Sequence, residues 1–467
     1  MRPCPWLEAL RRSLSFEVGQ IIGRGLKRPS LDTLLIVPRL ARRILLGARS
    51  GAGASGKRGG AAPQPEDVGR ELLAPALVTR RPGHPLVGAV LDTFTLSCLD
   101  PDCDLLRVRP DNWRYAFERQ RPDFLLVESA WHGNDDAWQY RVASYASPPD
   151  RQSLPAMLKW CRAHGVPTVF WNKEDPVHFD RFIASARRFD IVLTTDADCV
   201  PRYRRAAGHD QVLAVPFAAQ PEIHHPILER DRDDRVCFAG SFYADRHDER
   251  RIDMESILRP ALAFPFDIYD RNHGLTGPQA AKVAFPEEYR GAIRGRLEYG
   301  EMVEAYKRHR VFLNVNSVKQ SPTMFSRRVF ELLACGTPVI SSYSRGIVEI
   351  LGEDAVAIAT SEAETTAHLE RLLGDDVAWA RTSALGLCRV LGTHTYQDRF
   401  AEALATAGLP VPQAWTASRS PAIHVLVPLR GADHMPAVEA ACRALARQAC
   451  APAAVTFLST AEVDPAI

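Results

Sequence analysis

The 467-residue sequence contains no CxxC pair, no long apolar run and almost no net charge. Its ten cysteines are scattered, and the closest pair, Cys98 and Cys103, matches no zinc-site spacing, so we expect reduced thiols and no metal site. No apolar run reaches the roughly 18 residues of a membrane span, and the N-terminus lacks a signal-peptide core. A formal charge of +2 argues against wholesale nucleic-acid binding. These absences predict a cytoplasmic globular protein without a nucleic-acid partner.

The first 49 residues are the most basic stretch of the chain, with ten Lys and Arg against three acidic residues, a local balance of +7. In "LDTLLIVPRLARRILL", apolar residues alternate with arginines at helical spacing. This pattern is typical of an amphipathic helix on anionic lipid, which would place the protein at the inner face of the cytoplasmic membrane. The alternative is a basic helix packed on the protein's own surface. Residues 50–82, rich in Gly, Ala and Ser, are a predicted flexible linker.

Short apolar runs ending in polar residues alternate with helical segments from Pro85 onward. "LVGAVLD", "DFLLVES", "VPTVFWN", "FDIVLTTD" and "QVLAVPF" form one series, and "VCFAGS", "PFDIYD", "VFLNVNS", "TPVISS" and "AVAIAT" form the next. Such alternation predicts an α/β fold with two doubly wound parallel-sheet domains, residues 83–217 and residues 218–412. Residues 421–467 predict one further β-α-β unit.

Open parallel sheets bind ligands beyond the carboxyl ends of their strands. In the second domain, polar residues at or soon after these ends are candidates for binding a nucleotide diphosphate: Gly240, Ser241, Tyr269, Arg271, Asn314, Asn316, Lys319, Ser321 and Thr323.

The stretch "SPTMFSRRVFELLACGTPVISS" adds two adjacent arginines to these candidates. Ser326 is the predicted cap of an apolar helix, and Arg327 and Arg328 fall in its first turn, where the helix dipole disfavours cations. We therefore expect a diphosphate to neutralise them. Glu331, one turn further on, has two interpretations. It forms a surface ion pair with the arginines, or it accepts hydrogen bonds from ribose hydroxyls.

The strand ends of the first domain carry candidates for acceptor chemistry. Asp92, Glu128 and Glu174 are the catalytic candidates, because a carboxylate can deprotonate or orient an acceptor hydroxyl. A tryptophan can stack on the apolar face of a sugar while polar neighbours bind its hydroxyls. The predicted substrate contacts are therefore Trp131, His132, Asn134 and Lys173. A core position for Trp131 is the alternative.

Several of these stretches resemble one known family. "WNKEDPVHFDRF", "VCFAGSFYADR", "IYDR", "VFLNVNSVKQSPTMFSRRVFELLACGTPVIS" and "HTYQDR" are similar to the spore-maturation-protein CgeB-like glycosyltransferases, from about Leu86 to Arg399. The resemblance implies the GT-B fold, in which two Rossmann-like domains face a cleft and the second binds the nucleotide sugar. In related retaining enzymes two glutamates eight residues apart face the donor. Glu331 matches the second, whereas Thr323 stands at the first, which leaves the stereochemical outcome open.

The resemblance also implies the reaction. We expect transfer of a sugar from a nucleotide-diphosphate donor to a glycan or lipid-linked acceptor in cell-surface polysaccharide synthesis. Neither metal nor cofactor is expected, with Arg328 stabilising the departing diphosphate, helped by Arg246 and Lys319. A nucleotide-sugar epimerase and a non-catalytic scaffold of a polysaccharide assembly complex are the alternatives. The stretch "IHVLVPLRGADHMPAVEAACRALARQ" is similar to the start of a GT-A transferase. No Asp-x-Asp follows it, so we expect no second active site.

Overall fold

The computed structural model describes residues 77–145, 152–227, 231–242, 248–416, 424–429, 435–446 and 454–459. The predicted basic segment 1–49, most of the predicted linker and Arg246 therefore lie outside the described residues. None of the described helices is both long enough and apolar enough to cross a membrane.

The first domain contains a parallel six-stranded sheet in the order β2-β1-β3-β4-β5-β6. Its strands are almost entirely buried, as expected for a sheet covered on both faces. They are β1 (Leu86–Val90), β2 (Asp104–Arg107), β3 (Phe124–Glu128), β4 (Thr168–Asn172), β5 (Ile191–Thr194) and β6 (Val212–Ala214). The connecting helices are α1 (Thr93–Leu99), α2 (Trp113–Arg119), α3 (Ser153–Ala163), α4 (Phe179–Ala186) and α5 (Val200–Ala207).

The second domain contains another parallel six-stranded sheet, in the order β12-β11-β10-β7-β8-β9. Its strands are β7 (Asp233–Gly240), β8 (Phe266–Asp270), β9 (Ile293–Gly295), β10 (His309–Asn314), β11 (Val339–Ser341) and β12 (Ala357–Ile358). The helices are α6 (Asp248–Leu258), α7 (Pro278–Val283), α8 (Tyr299–Arg308), α9 (Arg328–Ala334), α10 (Arg345–Ile350), α11 (Glu362–Gly374) and α12 (Asp376–Thr393). The predicted pair of doubly wound domains is confirmed, and all ten predicted strands are present. The sequence prediction missed the short strands β2 and β9.

Strand order reverses once in each sheet, between β1 and β3 in the first and between β7 and β10 in the second. In the first sheet Val87 pairs with Phe124, and in the second Phe238 pairs with Leu313. A crevice opens at each reversal because the two flanking helices cover opposite faces of the sheet. These two crevices position the candidate site.

The last part of the second domain returns to the first. Helix α13 (Tyr396–Thr406) packs Phe400 against Trp171 at the end of β4, with 5.5 Å between ring centroids. Helix α14 (Gln413–Thr416) follows, and Trp415 Nε1 donates to the Asp102 carbonyl at 2.9 Å. One hydrophobic core is therefore continuous across both domains.

The predicted third unit is a parallel β-α-β arrangement, made of β13 (His424–Leu429), α15 (Met435–Ala446) and β14 (Ala454–Ser459).

Candidate functional site

Two adjoining cavities lie at the crevices of the two sheets. The first cavity, of about 670 Å³, is lined by Asp92, Thr93, Phe94, Trp131, His132, Gly133, Asp135, Asp136, Lys173, Glu174, Phe217, Arg271 and Arg327. The second, of about 740 Å³, is lined by Gly240, Tyr269, Arg271, Asn272, His273, Gly274, Leu275, Arg296, Leu297, Glu298, Tyr299, Met302, Tyr306, Arg327 and Arg328. The two cavities share Arg271 and Arg327, so they form one continuous cleft.

Asp92 holds the wall of the first cavity in place. Its carboxylate accepts hydrogen bonds from three successive backbone N–H groups, those of Trp131 (3.3 Å), His132 (3.2 Å) and Gly133 (2.6 Å). Three N–H donors on one carboxylate fix the loop after β3 to the end of β1. Asp92 lines the cavity, as the sequence predicted, but its oxygens are already engaged in this loop.

Glu128 at the end of β3 has no exposed surface. One of its oxygens accepts the Asp92 backbone N–H at 2.6 Å, and the other lies 2.8 Å from Lys173 Nζ. Burial raises the pKa of Glu128, and the charge of Lys173 opposes that rise. Because Glu128 does not line the cavity, we replace its predicted role as a base with a positioning role. Lys173 does line the cavity and also donates to Thr95 Oγ1 at 2.5 Å.

The loop after β3 has an uncommon backbone. Gly133, Asn134, Asp135 and Asp136 are four consecutive residues in the left-handed region, with φ values of 61°, 47°, 57° and 67°. Each non-glycine residue in this region costs about 1 kcal/mol or more. A Cβ at Gly133 would also approach Trp138 Cβ to 2.8 Å, so this position requires glycine.

Asn134 anchors this loop to the ends of β1 and β2. Its amide nitrogen donates to the carbonyls of Ala89 (2.7 Å) and Val108 (2.8 Å), and its oxygen accepts from the Leu91 N–H (3.2 Å). The side chain is buried and fully used, so the predicted substrate contact of Asn134 is corrected to a structural role.

Trp131 and Glu174 both line the first cavity. The Trp131 ring is partly buried and makes T-shaped contacts with the rings of His178 and Phe182, at centroid distances of 5.2 and 5.1 Å. Glu174 follows β4, keeps a third of its side chain exposed and lies 3.9 Å from His178. Of the three predicted bases, Asp92 and Glu174 therefore reach the cavity.

The second cavity is strongly cationic. Four arginines line it against a single carboxylate, that of Glu298, which pairs with Arg296 at 2.6 Å. Arg328 donates to the Ala239 carbonyl (2.6 Å) and to the Tyr306 hydroxyl (3.2 Å), both neutral groups. Arg271 is exposed and has no ion-pair partner among the described residues. This surplus of positive charge suits a ligand with two or more negative charges.

Arg327 lies between the two cavities. Its guanidinium carbon is 3.5 Å from the Phe94 ring centroid, and Nη1 lies 2.6 Å from Glu331 Oε1. Glu331 has no exposed surface and lines neither cavity. The predicted ion pair of Glu331 with Arg327 is present, but its carboxylate is buried instead of lying on the surface. The predicted ribose contact is corrected, because the carboxylate faces Arg327 and lines neither cavity. Burial alone would raise the pKa of Glu331, but the charge of Arg327 lowers it below its usual value.

The helix start differs from the prediction. Helix α9 begins at Arg328, with Arg327 at the cap position and no side-chain cap, so Ser326 does not cap it. Glu331 is in the first turn and offsets the arginines. With only seven residues, the helix has a weak dipole.

The loop that precedes α9 joins the two domains. Thr323 Oγ1 accepts from the Ala197 N–H (2.9 Å) and donates to the Thr195 carbonyl (2.8 Å), both in the first domain. Ser321 Oγ donates to Asp196 Oδ1 at 2.5 Å. Ser321 and Thr323 were predicted to bind a donor, but their side chains are used in this interdomain junction.

Four further predicted donor contacts line neither cavity. Asn314 and Asn316 are buried and donate to Ser341 Oγ, each at 3.0 Å. Lys319 Nζ pairs with Asp253 at 2.8 Å. Ser241 is nearly buried, and its carbonyl accepts from Arg250 at 3.1 Å. The side chains of Asn314, Asn316 and Lys319 are engaged in these contacts, and none of the four residues lines the cleft, so these predictions are corrected as well.

The sequence prediction also missed residues that line the cleft. Phe94 comes two residues after Asp92, and a search that continued from the end of β1 into the following turn would have found it. Arg296 and Tyr299 follow the three-residue strand β9, which the apolar pattern does not mark. The described residues contain no group of three or more His, Cys, Asp or Glu arranged to hold a metal ion.

Comparison with known proteins agrees with this architecture. Residues 250–405 match a protein family described as "Glycosyl transferase-like". The fold defined by the two facing Rossmann-like domains is GT-B, and the protein is a glycosyltransferase.

A curated relative is the GDP-mannose-dependent alpha-(1-6)-phosphatidylinositol dimannoside mannosyltransferase of Mycobacterium tuberculosis. It is 24% identical over 297 residues, which cover 57% of this chain and 69% of the relative. Among solved structures, an alpha-glucosyltransferase in complex with UDP-glucose and DNA has a TM-score of 0.47 at 11% identity, covering 66% of this chain and 86% of that one. Sucrose-phosphate synthase from Thermosynechococcus elongatus has a TM-score of 0.40 at 14% identity, covering 66% and 78%.

Proposed function

We propose that the second cavity binds the diphosphate of a nucleotide-sugar donor and that the first cavity binds the acceptor. Arg271, Arg327 and Arg328 would hold the diphosphate, and the sugar would lie where the cavities meet. The acceptor oxygen attacks the anomeric carbon and gives its proton to a carboxylate of the first cavity such as Glu174, and the bond from that carbon to the diphosphate oxygen breaks with its electron pair left on the diphosphate. The arginines stabilise the negative charge that develops on the leaving group.

One observation carries this assignment, which is the separation of charge along the cleft. The second cavity has four arginines against one carboxylate, whereas the first has four carboxylates against three cationic side chains, those of Lys173 and of the shared Arg271 and Arg327, and adds the aromatic rings of Phe94, Trp131 and Phe217. Aromatic faces and carboxylates suit the apolar faces and hydroxyls of a sugar, and clustered guanidinium groups suit phosphate. The net positive charge is therefore concentrated in the second cavity, which favours that cavity for the diphosphate.

Product analysis tests the function. The full chain is incubated with GDP-mannose or UDP-glucose, with and without a panel of p-nitrophenyl glycosides, and nucleotide release and sugar products are measured. We expect release of GDP or UDP that increases with acceptor, together with a glycosylated acceptor. A donor sugar altered without an acceptor would indicate an epimerase. Donor binding without turnover would indicate a scaffold.

We extend the proposal to a CgeB-like subtype that acts without a metal ion on a glycan or lipid-linked acceptor of the cell surface. The sequence stretches between Leu86 and Arg399 support the subtype. The abundance of guanidinium groups supports metal independence, since these groups can supply the charge that a cation would otherwise provide. Activity that persists in EDTA would agree with this proposal, and loss of activity that Mg²⁺ restores would refute it.

The basic segment 1–49 supports peripheral contact with a membrane. Deleting residues 1–60 should leave a folded protein that no longer sediments with vesicles of anionic phospholipid, because twelve basic side chains are removed. The full chain with neutral phosphatidylcholine vesicles is the control. Equal sedimentation of the two proteins with anionic vesicles would refute the membrane contact.

A further inference from the structure

The ring of Phe94 lies at the boundary between the two cavities. Phe94 is the second residue of α1 in the first domain, and it lines the first cavity. Two of its contacts come from the second domain. The guanidinium carbon of Arg327 lies over the ring, 3.5 Å from its centroid, and the Tyr299 ring meets it at 5.2 Å and 87°. Both of these residues line the second cavity, so a side chain of the first domain supports the wall of the other cavity.

Arg327 keeps most of its hydrogen-bonding capacity in this position. A guanidinium group has five N–H donors, and among the described residues Arg327 hydrogen-bonds only to Glu331, through Nη1 at 2.6 Å. A third of its side chain is exposed, at the place where the two cavities meet. Phe94 contacts the guanidinium without using any of its N–H groups, because an aromatic ring attracts a cation through the charge distribution of its face. The remaining donors are therefore available to an anion.

We propose that Phe94 positions Arg327 for the diphosphate of the donor, so that a residue of the first domain completes the donor site. This inference rests on the proposed function of the second cavity and adds a residue that the sequence prediction missed. A phosphate is bound by the N–H groups in the plane of the guanidinium, whereas the ring packs on its face, so both contacts can be made at once. A leucine would fill part of the same space but lacks the aromatic face that attracts the cation.

The ring itself is held in place by other contacts. Lys173 Nζ lies 5.5 Å from the Phe94 centroid and is fixed by the buried carboxylate of Glu128 at 2.8 Å. The Tyr396 ring lies 6.4 Å away. Together with Tyr299, these side chains restrict the orientation of the ring. A positioning side chain needs such support, because a mobile ring could not hold the guanidinium in one place.

A role in packing alone would give a different outcome. Phe94 is partly buried and packs against the hydrophobic core that crosses both domains. If it served the core only, its replacement would lower the free energy of unfolding and leave anion binding unchanged. If it positions Arg327, its replacement must weaken anion binding, and only while Arg327 is present. The experiment therefore measures binding and stability together.

The test is calorimetric titration of the full chain with pyrophosphate and with GDP. Phe94→Leu should raise the Kd of both ligands about 3- to 30-fold, the range expected for loss of a cation–π contact. Phe94→Tyr keeps an aromatic face and should stay within about twofold of the wild-type Kd. In a chain that carries Arg327→Gln, Phe94→Leu should change neither Kd further, because Phe94 acts through the guanidinium. Urea denaturation establishes that each variant is folded under the conditions of the titration.

Phe217→Leu is the matched control. Phe217 lines the same cavity and packs on Trp171, with 6.2 Å between ring centroids, and no cation lies over its ring among the described residues. The variant should bind pyrophosphate and GDP as the wild type does, because it loses an aromatic ring of the cavity without losing a contact to Arg327.

Three results would each refute the positioning role: wild-type affinity in Phe94→Leu, equal losses in Phe94→Leu and Phe94→Tyr, or a further loss when Phe94→Leu is added to Arg327→Gln. If Arg327→Gln does not fold, the comparison of Phe94→Leu with Phe94→Tyr decides. Arg328→Ala separates this inference from the proposed function. If Arg328→Ala weakens binding and Phe94→Leu does not, only the positioning role is refuted. Failure of the wild-type chain to bind either ligand would refute the diphosphate assignment, and the positioning role with it.

Discussion

Arg328→Ala should weaken binding of GDP or UDP by about 1.5–3 kcal/mol, roughly 10- to 150-fold in Kd, as expected for loss of a charge-assisted hydrogen bond. The loss should be similar for pyrophosphate, because Arg328 is expected to bind the phosphates and not the nucleoside. Calorimetric titration of wild type and variant with all three ligands measures the effect. Among the described residues Arg328 has no carboxylate partner, so its charge is available to a ligand.

Arg328→Ala should lower the free energy of unfolding by less than it weakens ligand binding. Arg328 donates to the Ala239 carbonyl and the Tyr306 hydroxyl, and loss of such bonds costs on the order of 1 kcal/mol. Arg345→Ala is the control, since Arg345 lies in the same domain, pairs with Glu349 and lines neither cavity. It should bind all three ligands as the wild type does. Wild-type affinity of Arg328→Ala for GDP, UDP and pyrophosphate would refute the assignment of the second cavity.

Glu331→Gln should lower the free energy of unfolding by about 1.5–3 kcal/mol at neutral pH, because it removes the charge of a fully buried carboxylate that accepts a charge-assisted hydrogen bond. Arg327, whose side chain is 33% exposed at the cleft, loses its carboxylate partner but stays in contact with solvent. Because the pKa of Glu331 is lowered in the folded state, its stabilisation is present above the pKa of the unfolded chain. It is lost as the pH falls through the folded pKa, so the difference between wild type and variant should shrink in acid.

The chain contains a matched control for this prediction. Arg345 and Glu349 have the same four-residue spacing on a helix and a similar distance, 2.7 Å against 2.6 Å. Both of their side chains are nearly half exposed, whereas Glu331 is fully buried. Glu349→Gln should therefore cost only a few tenths of a kcal/mol. Urea denaturation of both variants measures the contrast, and equal losses would show that burial of Glu331 does not matter.

The expectation that ligands bind beyond the carboxyl ends of parallel strands located much of the cleft from sequence. It found Asp92, Trp131, Lys173 and Arg271, because parallel strands deliver their following residues to one edge whatever the loop conformation. It could not tell which of the polar side chains remain free. Glu128 is paired with Lys173, a partner 45 positions away in sequence, and tertiary packing decides such pairings.

The sequence pattern did not predict elements that are very short or residues whose role depends on contacts distant in sequence. Strand β9 has only three residues, so the sequence showed no apolar period. Thr323 reads as part of a polar loop, yet it bonds to Thr195 and Ala197, more than 120 residues earlier in the chain. The left-handed run at Gly133 to Asp136 depends on Asp92 and Asn134 together, and nothing in "HGNDD" alone requires it.

The return of α13 and α14 to the first domain has a consequence for synthesis on the ribosome. Trp171 completes its packing only when Phe400 arrives, and Asp102 gains its indole partner only when Trp415 does. The first domain is therefore encoded by two stretches of chain separated by the whole second sheet. Domains commonly fold in order of emergence, at about 5–20 residues per second. Here the first domain finishes last, and its unfinished surface stays open to chaperones until the residues near Thr416 have left the exit tunnel.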